Sequence, residues 1–170
     1  MEKGLIHLYW GDGKGKTTAA MGVAMRALAA GKKVVIVQFL KGQESGEITL
    51  LFELGAQIYR GKAGHKFVFQ MTEEEKAQAR KVQDENLLAA LQQPADLLIL
   101  DEACAAVQLN MVDEAMLKKA VCEKPAEQEL ILTGRNPADW MTEIADYSTE
   151  MHCWKHPYEK GIPARKGVEY

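Results

Sequence analysis

A glycine-rich segment near the amino terminus has the residue types and spacing of a phosphate-binding loop. Residues 11–18 have the sequence GDGKGKTT, follow the apolar run LIHLY and precede a stretch with helical periodicity. Glycines let the backbone approach a ligand closely and adopt positive φ, so that successive N–H groups turn toward an anion. The amino terminus of the next helix adds a positive partial charge. A glycine loop between a strand and a helix therefore predicts a site for a nucleotide triphosphate, here that of ATP.

The polar residues of this loop have distinct expected roles. Lys16 can bring a mobile positive charge to the outer phosphates, and the Thr17 hydroxyl can ligate Mg²⁺. Three residues, rather than the four of the Walker A consensus, separate Gly11 from Gly15, so the loop is a variant. The predicted nucleotide contacts are Gly11, Asp12, Gly13, Lys14, Gly15, Lys16, Thr17 and Thr18.

Two further apolar runs end in charged residues. The run LLILDE at 97–102 ends in Asp101 and Glu102, which are candidates for holding the metal as in a Walker B strand, or for capping the next helix. Either carboxylate could hold the metal together with Thr17. Arg135 follows the run LILTG and is a candidate ATP contact, although an arginine there is as often the partner of an acidic residue.

The arrangement of these motifs predicts an α/β fold of the P-loop (RecA-like) type, with residues 1–170 forming one domain. Short segments rich in β-branched residues alternate with helical stretches, which indicates a mostly parallel six-stranded sheet with helices on both faces. The predicted strands are 5–9, 34–39, 57–59, 97–100, 130–133 and 148–154.

Capping signals place several helices. Helix 17–30 is expected to end before Gly31, and Thr72 with Glu75 forms a capping box for a helix to about Gln92. Asn136 followed by Pro137 predicts another helix start. The polar segments 41–46 and 61–71 are expected to be loops that carry function.

Composition excludes several classes of function. Among 170 residues the net charge is −3 and the five arginines are scattered, so the basic surface that nucleic acids require is missing. No apolar stretch is long enough to cross a bilayer and no signal peptide is apparent, which predicts a cytoplasmic protein with no membrane partner. Cys104, Cys122 and Cys153 are expected to be reduced and mostly buried, without a structural metal.

The sequence offers no nucleophile of its own, because the residue patterns of Ser/His/Asp hydrolases, HExxH metalloproteases and Cys/His enzymes are missing. The nucleophile is therefore expected to belong to the second substrate. An ATPase stays open, since Glu102 follows the strand-end aspartate and could orient water. A small-molecule kinase also stays open, although its expected cluster of lid arginines is not seen.

Taken together, these motifs resemble the corrinoid adenosyltransferases of the CobA/BtuR type, the ATP:cob(I)alamin adenosyltransferases. The likeness extends over nearly the whole chain. Its motifs are GDGKGKTTAAMG at 11–22, VVIVQFLKG at 34–42, LILDE at 98–102, LTGR at 132–135 and KHPYEKGIPARKGVEY at 155–170. The shortened loop and the C-terminal motif are not general features of P-loop proteins, which makes the resemblance specific.

The resemblance implies transfer of the 5′-deoxyadenosyl group of ATP to the Co(I) of a reduced corrinoid, such as cobalamin or cobinamide, with release of triphosphate. It implies Mg²⁺ held by Thr17 and Glu102, and a catalytic role for Lys16, Thr17 and Glu102 in stabilising the leaving triphosphate. It also implies a corrinoid contact through Phe67 and Phe69 that displaces the lower axial ligand of cobalt. Two phenylalanines packed in the core are the alternative. A homodimer and an electron donor such as a reduced flavoprotein are also implied.

A regulatory homologue that binds ATP or corrinoid without turnover is a further alternative. Members of the family often carry a polar N-terminal extension that covers the active site, whereas the first predicted strand here begins at Leu5.

Overall fold

A parallel sheet organises the chain in the computed structural model, which describes residues 3–41, 45–61 and 66–169. The strands lie in the order β3-β2-β4-β5-β1-β6, and every neighbouring pair is parallel. The predicted α/β class and six-stranded sheet are therefore confirmed, and the sheet is parallel throughout. Its strands are β1 (Ile6–Trp10), β2 (Val34–Gln38), β3 (Gln57–Arg60), β4 (Leu97–Asp101), β5 (Glu129–Gly134) and β6 (Tyr147–Glu150).

Helices cover both faces of the sheet, as predicted. The first two helices pack on one face, where Ala20 and Ile48 join one apolar cluster, and the other four pack on the opposite face with Leu87, Leu117 and Met141. The helices are α1 (Lys16–Ala29), α2 (Gly46–Glu53), α3 (Glu73–Leu91), α4 (Ala103–Gln108), α5 (Glu114–Cys122) and α6 (Asp139–Ile144). Short 3-10 turns cover Val68–Gln70 and Pro157–Lys160.

The two central strands explain why their sequences are continuous apolar runs. Every residue of β2 (VVIVQ) and of β4 (LLILD) is buried. Successive side chains alternate between the faces, so Leu98 and Leu100 join one apolar cluster while Leu97 and Ile99 join the other. The polar residue that closes each run, Gln38 or Asp101, lies at the carboxyl edge of the sheet.

Local capping chemistry determines the helix ends that the sequence predicted correctly. Thr72 Oγ1 accepts a hydrogen bond from the Glu75 N–H at 3.2 Å, and the Glu75 carboxylate accepts one from the Thr72 N–H at 2.9 Å. This is the predicted capping box, and it starts α3. Helix α1 ends one residue earlier than predicted and is followed by Gly31 at φ 72°.

Three local predictions were wrong. Strand β6 ends at Glu150 rather than at Trp154, because the chain then crosses toward the glycine-rich loop. Helix α6 begins at Asp139, with the extended residue Ala138 at its cap, and the Asn136 amide instead lies 3.5 Å from Gln108 Oε1. Helix α2 begins at Gly46, at the end of the segment predicted as a loop.

Parts of the two predicted functional loops lie outside the described residues, namely 42–44 and 62–65. Within the described ranges, no helix is long and apolar enough to cross a membrane.

The three cysteines are free, but they differ in exposure. Cys104 is buried, Cys153 is half-buried and Cys122 is exposed, so the expectation of mostly buried thiols fails at Cys122. Burial raises the pKa of the Cys104 thiol to about 12, and the negative charge of Glu102 adds to the shift. Because the thiolate is the reactive form, Cys104 is chemically protected at neutral pH.

We therefore expect Cys104 to resist a disulfide reagent such as DTNB at pH 8, where only roughly one in ten thousand of its thiols is ionised. Fewer than three thiols should react quickly in the native protein, and the Cys104 thiol should react only after unfolding in guanidinium. Cys104→Ser should leave the fast count unchanged, whereas Cys122→Ser should lower it by one. Three fast thiols in the native protein would contradict the assignment.

Candidate active site

The residues predicted to bind nucleotide and metal lie at the carboxyl edge of the sheet, where parallel strands place ligand-binding loops. The glycine-rich loop follows β1 and leads into α1, while Asp101 ends β4 and Arg135 follows β5. The Thr17 hydroxyl donates a hydrogen bond to Asp101 Oδ1 at 2.9 Å. This contact joins the glycine-rich loop to the end of β4 across 84 residues of sequence.

The glycine-rich loop leaves the amino terminus of α1 open to a ligand. Gly15 is the N-cap residue at φ 115°, and no side chain caps the first turn. The first N–H groups of a helix have no partner inside the helix, so an uncapped terminus attracts an anion. The Lys16 ammonium folds back and donates to the Gly13 carbonyl at 2.7 Å. Burial is the main cause that lowers the pKa of Lys16, with the Glu102 charge opposing it.

Asp101 is the most connected side chain of the site and is fully buried. Its Oδ1 accepts hydrogen bonds from Thr17 Oγ1 at 2.9 Å and from Thr133 Oγ1 at 2.6 Å. Its Oδ2 accepts from Gln38 Nε2 at 3.0 Å and from Lys41 Nζ at 2.6 Å. Four donors from four segments thus satisfy one carboxylate, which has about four acceptor positions.

Glu102 occupies an unusual backbone conformation beside Asp101. Its φ of 60° and ψ of 23° are left-handed, a region that costs a non-glycine residue roughly 1–2 kcal/mol. The Glu102 N–H donates to Thr133 Oγ1 at 2.9 Å. Burial chiefly raises the pKa of Glu102, followed by the charge of Asp101, while the cations Lys41, Lys16 and Arg135 act in the opposite direction. Such strain at a charged residue is common in functional sites.

The oxygen atoms present fit a magnesium ion that shares its coordination with a triphosphate. Mg²⁺ in nucleotide sites is bound by one or two carboxylates together with phosphate oxygens and water. No group of three or more His, Cys, Asp or Glu side chains in the described ranges could form a complete metal cage. The buried Gln38 Oε1 has no hydrogen-bond partner among the described residues, which leaves an acceptor for a ligand or for water. The hydroxyl of Thr17 and the carboxylates of Asp101 and Glu102 therefore suit a metal ion whose remaining ligands are phosphate oxygens and water.

The sequence prediction paired Thr17 with Glu102, whereas in the structure the direct partners of the Thr17 hydroxyl are Asp101 and Lys41. Gln38 and Lys41 were not among the predicted site residues. The available signal was positional, because Gln38 ends an otherwise apolar strand and Lys41 follows it at the edge where the other site residues lie.

Arg135 lies at the rim of the site and is exposed. Its carbonyl accepts a hydrogen bond from the Gly11 N–H at 3.1 Å. Its positive charge contributes to the lowered pKa of Lys16 and partly opposes the rise in the pKa of Glu102. Among the described residues its guanidinium forms neither a hydrogen bond nor an ion pair. The alternative of a structural ion-pair partner therefore gains no support.

A short covering segment, residues 151–153, lies directly against the glycine-rich loop. The Gly13 N–H donates to the Met151 carbonyl at 2.6 Å, and the Cys153 N–H donates to Asp12 Oδ1 at 3.0 Å. The bond from Cys153 is also the main reason that the pKa of Asp12 is lowered. A Cβ atom at Gly13 would lie 2.7 Å from the backbone of Met151, closer than real contacts allow. Gly13 is therefore required by packing as well as by any anion.

Phe67 and Phe69 do not pack in the core. Their side chains are 69% and 82% exposed, and the two rings stack at 5.5 Å with an interplanar angle of 5°. They belong to the chain that follows β3, the edge strand of the sheet, which lies four strand intervals or roughly 19 Å from β1. The core-packing alternative is wrong, and the pair offers a flat apolar surface to solvent.

A concavity of about 1000 Å³ lies at the opposite edge of the sheet, away from these residues. Lys33, Asp96 and Gln128 line it, and they precede β2, β4 and β5. It includes no residue of the glycine-rich loop. The candidate active site is therefore the group of polar residues at the carboxyl edge, although this concavity is large.

The contact at Gly13 makes a stability prediction. Gly13→Ala should lower the free energy of unfolding by about 1–3 kcal/mol, since the backbone of the covering segment must move. Gly22→Ala is the matched control, because Gly22 lies exposed in α1 with open space around its Cβ position. It should gain about 0.5–1 kcal/mol from better helix formation. Urea unfolding measures both, and equal responses would contradict the packing role.

Comparison with known proteins agrees with the geometry. A family profile described as "ATP:corrinoid adenosyltransferase BtuR/CobO/CobP" matches residues 2–170. The corrinoid adenosyltransferase of Escherichia coli (strain K12) is 35% identical over 170 residues, covering 99% of this chain and 87% of the relative. A Sinorhizobium relative of that name is 35% identical, covering 99% and 81%.

The corrinoid adenosyltransferase CobA of Salmonella typhimurium is 32% identical, covering 99% of this chain and 87% of the relative. Among solved structures, a T48 deacetylase aligns at 14% identity with a TM-score of 0.28 over 88% of each chain, which carries no argument. The match of the family profile to almost every residue, at the identities of these relatives, shows that the chain belongs to the ATP:corrinoid adenosyltransferase family BtuR/CobO/CobP.

Proposed function

We propose that this protein transfers the 5′-deoxyadenosyl group of ATP to the cobalt of a reduced corrinoid such as cob(I)alamin and releases triphosphate. The observation that carries the proposal is the Thr17–Asp101 contact of 2.9 Å, which joins the glycine-rich loop and the strand-end carboxylate in a member of this family. The family match does not favour the ATPase, kinase or regulatory alternatives.

The reaction needs no nucleophile from the protein. The electron pair of Co(I) attacks C5′ of the ribose and forms the cobalt–carbon bond, while the bond from C5′ to the triphosphate oxygen breaks. Triphosphate leaves with the electron pair of the broken C5′–oxygen bond, and the cobalt is formally oxidised from Co(I) to Co(III). The protein therefore has to hold both substrates in line and to stabilise negative charge on the leaving group.

The loop residues 11–18 are suited to the second task. The uncapped N–H groups at the start of α1 face the expected anion, and Lys16 can exchange its bond to the Gly13 carbonyl for one to a phosphate oxygen. Arg135 adds an exposed positive charge at the rim. These groups stabilise charge that grows as the C5′–oxygen bond breaks, so they lower the barrier as well as binding ATP.

Mg²⁺, when bound, neutralises part of the triphosphate charge and makes it a better leaving group. We assign its protein ligands to Thr17 and Glu102, with Asp101 beside them. Deprotonated Glu102 is the form that binds a cation, and its raised pKa indicates that a nearby positive charge would relieve the free site.

Phe67 and Phe69 are the proposed corrinoid contact. Large, mostly exposed aromatic surface is costly in water, and the outer face of a ring in the stacked pair could pack against the face of a corrin ring. An aromatic wedge beneath the ring would take the place of the lower axial ligand and ease reduction to Co(I).

Several parts of the proposal go beyond the individual site. We include a homodimer and an electron donor such as a reduced flavoprotein in the proposal. We also include a cytoplasmic location and the action of residues 1–170 as one domain. Each follows from the sequence analysis or from the family resemblance.

Transfer can be tested with purified protein, MgATP and chemically reduced cob(I)alamin, following the cobalt–carbon product spectrally and assaying triphosphate. Lys16→Ala should lower the rate by about 10²–10³-fold, because a charge stabilising the leaving group is lost. Lys81→Ala, at an exposed lysine 3.9 Å from Glu85, should not change it. Release of ADP and phosphate would contradict the transferase, and bound ATP without product would indicate a regulatory homologue.

The aromatic pair has its own test. Phe69→Ala should spare transfer to prereduced Co(I) but impair transfer that starts from Co(II) with a reductant, since only the second assay needs displacement of the lower ligand. Phe52→Ala, at a phenylalanine of α2 that is 65% exposed, is the control and should affect neither assay. Equal loss in both assays for Phe69→Ala would argue for a general structural role.

A further inference from the structure

A lysine ammonium lies between Thr17, a proposed metal ligand, and Asp101, the carboxylate beside the proposed metal position. Lys41 Nζ is 2.6 Å from Asp101 Oδ2 and donates to Thr17 Oγ1 at 3.0 Å. In the described part of the chain it is the cation that pairs with Asp101. A single positive charge therefore bridges the hydroxyl of the glycine-rich loop and the buried carboxylate of β4.

This bridge fills the acceptor positions that a metal or its water shell would use. Asp101 already accepts four hydrogen bonds, and Lys41 supplies the only one that comes from a charged donor in the described residues. Thr17 Oγ1 donates a hydrogen bond to Asp101 and accepts one from Lys41. A cation arriving beside Thr17 would meet the ammonium at close range and be repelled by it.

Lys41 can leave while the other donors stay. Thr133 and Gln38 are buried on strands, whereas the Lys41 side chain is 31% exposed and has a flexible stem. The backbone that precedes Lys41 is fixed by hydrogen bonds to other segments. Leu40 is left-handed at φ 58°, its N–H donates to Gln83 Oε1 at 2.9 Å, and the Phe39 N–H donates to the Asp101 carbonyl at 3.0 Å. A non-glycine residue in this conformation needs such support.

We propose that Lys41 is a resident counter-ion that occupies the cation position of the free protein and is exchanged for the metal when metal and nucleotide bind. It is a positioning residue, because it acts through Asp101 and Thr17. The inference rests on the proposed function for the identity of the site. It explains how a fully buried carboxylate is tolerated before metal arrives, since an unpaired buried charge is strongly destabilising.

Because the Lys41 ammonium competes with the metal, the native protein should bind metal weakly when no nucleotide is present. Removing the ammonium should therefore tighten that binding, the reverse of what loss of an ordinary ligand does. Free Mn²⁺ measured by electron paramagnetic resonance is a suitable probe, because Mn²⁺ accepts the same oxygen ligands as Mg²⁺.

The test compares Mn²⁺ affinity of the full chain without nucleotide in the native protein, Lys41→Met and Lys76→Met. Lys41→Met should bind Mn²⁺ roughly tenfold or more tightly than the native protein. The metal then no longer has to displace a hydrogen bond between two charged groups. Lys76→Met removes an exposed lysine that pairs with Glu73 at 2.7 Å, and should bind as the native protein does. Unchanged or weaker affinity in Lys41→Met would overturn the proposal.

Folding of the variant is part of the readout. Lys41→Gln keeps a donor but removes the charge, so it should also bind Mn²⁺ more tightly. If Lys41→Met is unfolded in EDTA by circular dichroism but folds on addition of Mn²⁺, the exchange is supported. If both variants stay unfolded with Mn²⁺, the metal cannot replace the ammonium and the proposal fails.

The adenosyl transfer assay of the native protein, run in parallel, separates this inference from the proposed function. Product from the native protein without tighter Mn²⁺ binding by the variants would overturn the exchange alone. Tighter Mn²⁺ binding without product would leave the exchange standing and overturn the transferase.

Discussion

The buried carboxylate of Asp101 is the interaction on which the site depends. It is fully buried, and its hydrogen-bond donors come from α1, from β2, from the chain after β2 and from β5. An unpaired charge in such a place would cost several kcal/mol, so the four segments are held in one relative arrangement. This single group therefore fixes the positions of the Thr17 hydroxyl and the Lys41 ammonium.

The second constraint is the close packing of the covering segment on the glycine-rich loop. Gly13 is buried and bonded to Met151, and Asp12 is bonded to the backbone of Cys153. The loop is thus shaped from outside by the chain that leaves β6, as well as by its own glycines. A glycine-rich loop with one residue fewer than the Walker A consensus is thus held in place by a segment that is distant in sequence.

Charge in the site is arranged so that each of its two lysines, Lys16 and Lys41, has a partner within the protein. Lys16 bonds to the Gly13 carbonyl, and Lys41 bridges Thr17 and Asp101. Glu102, by contrast, has a raised pKa because burial and Asp101 oppose its ionisation. This arrangement supports the proposed binding of an anionic substrate together with a divalent cation. Each lysine can exchange its present partner, and a cation beside Glu102 would favour the ionised carboxylate.

The sequence by itself determined the fold class and the location of the loop. Continuous apolar runs such as VVIVQ and LLILD identify strands buried on both faces, and the box formed by Thr72 and Glu75 marks a helix start, because these signals depend on near neighbours. Tertiary structure alone decided that Thr17 meets Asp101, that Lys41 lies between them and that β6 ends where the chain turns to Gly13. Those contacts join segments far apart in sequence, and they arise from strand order and burial, which local patterns do not contain.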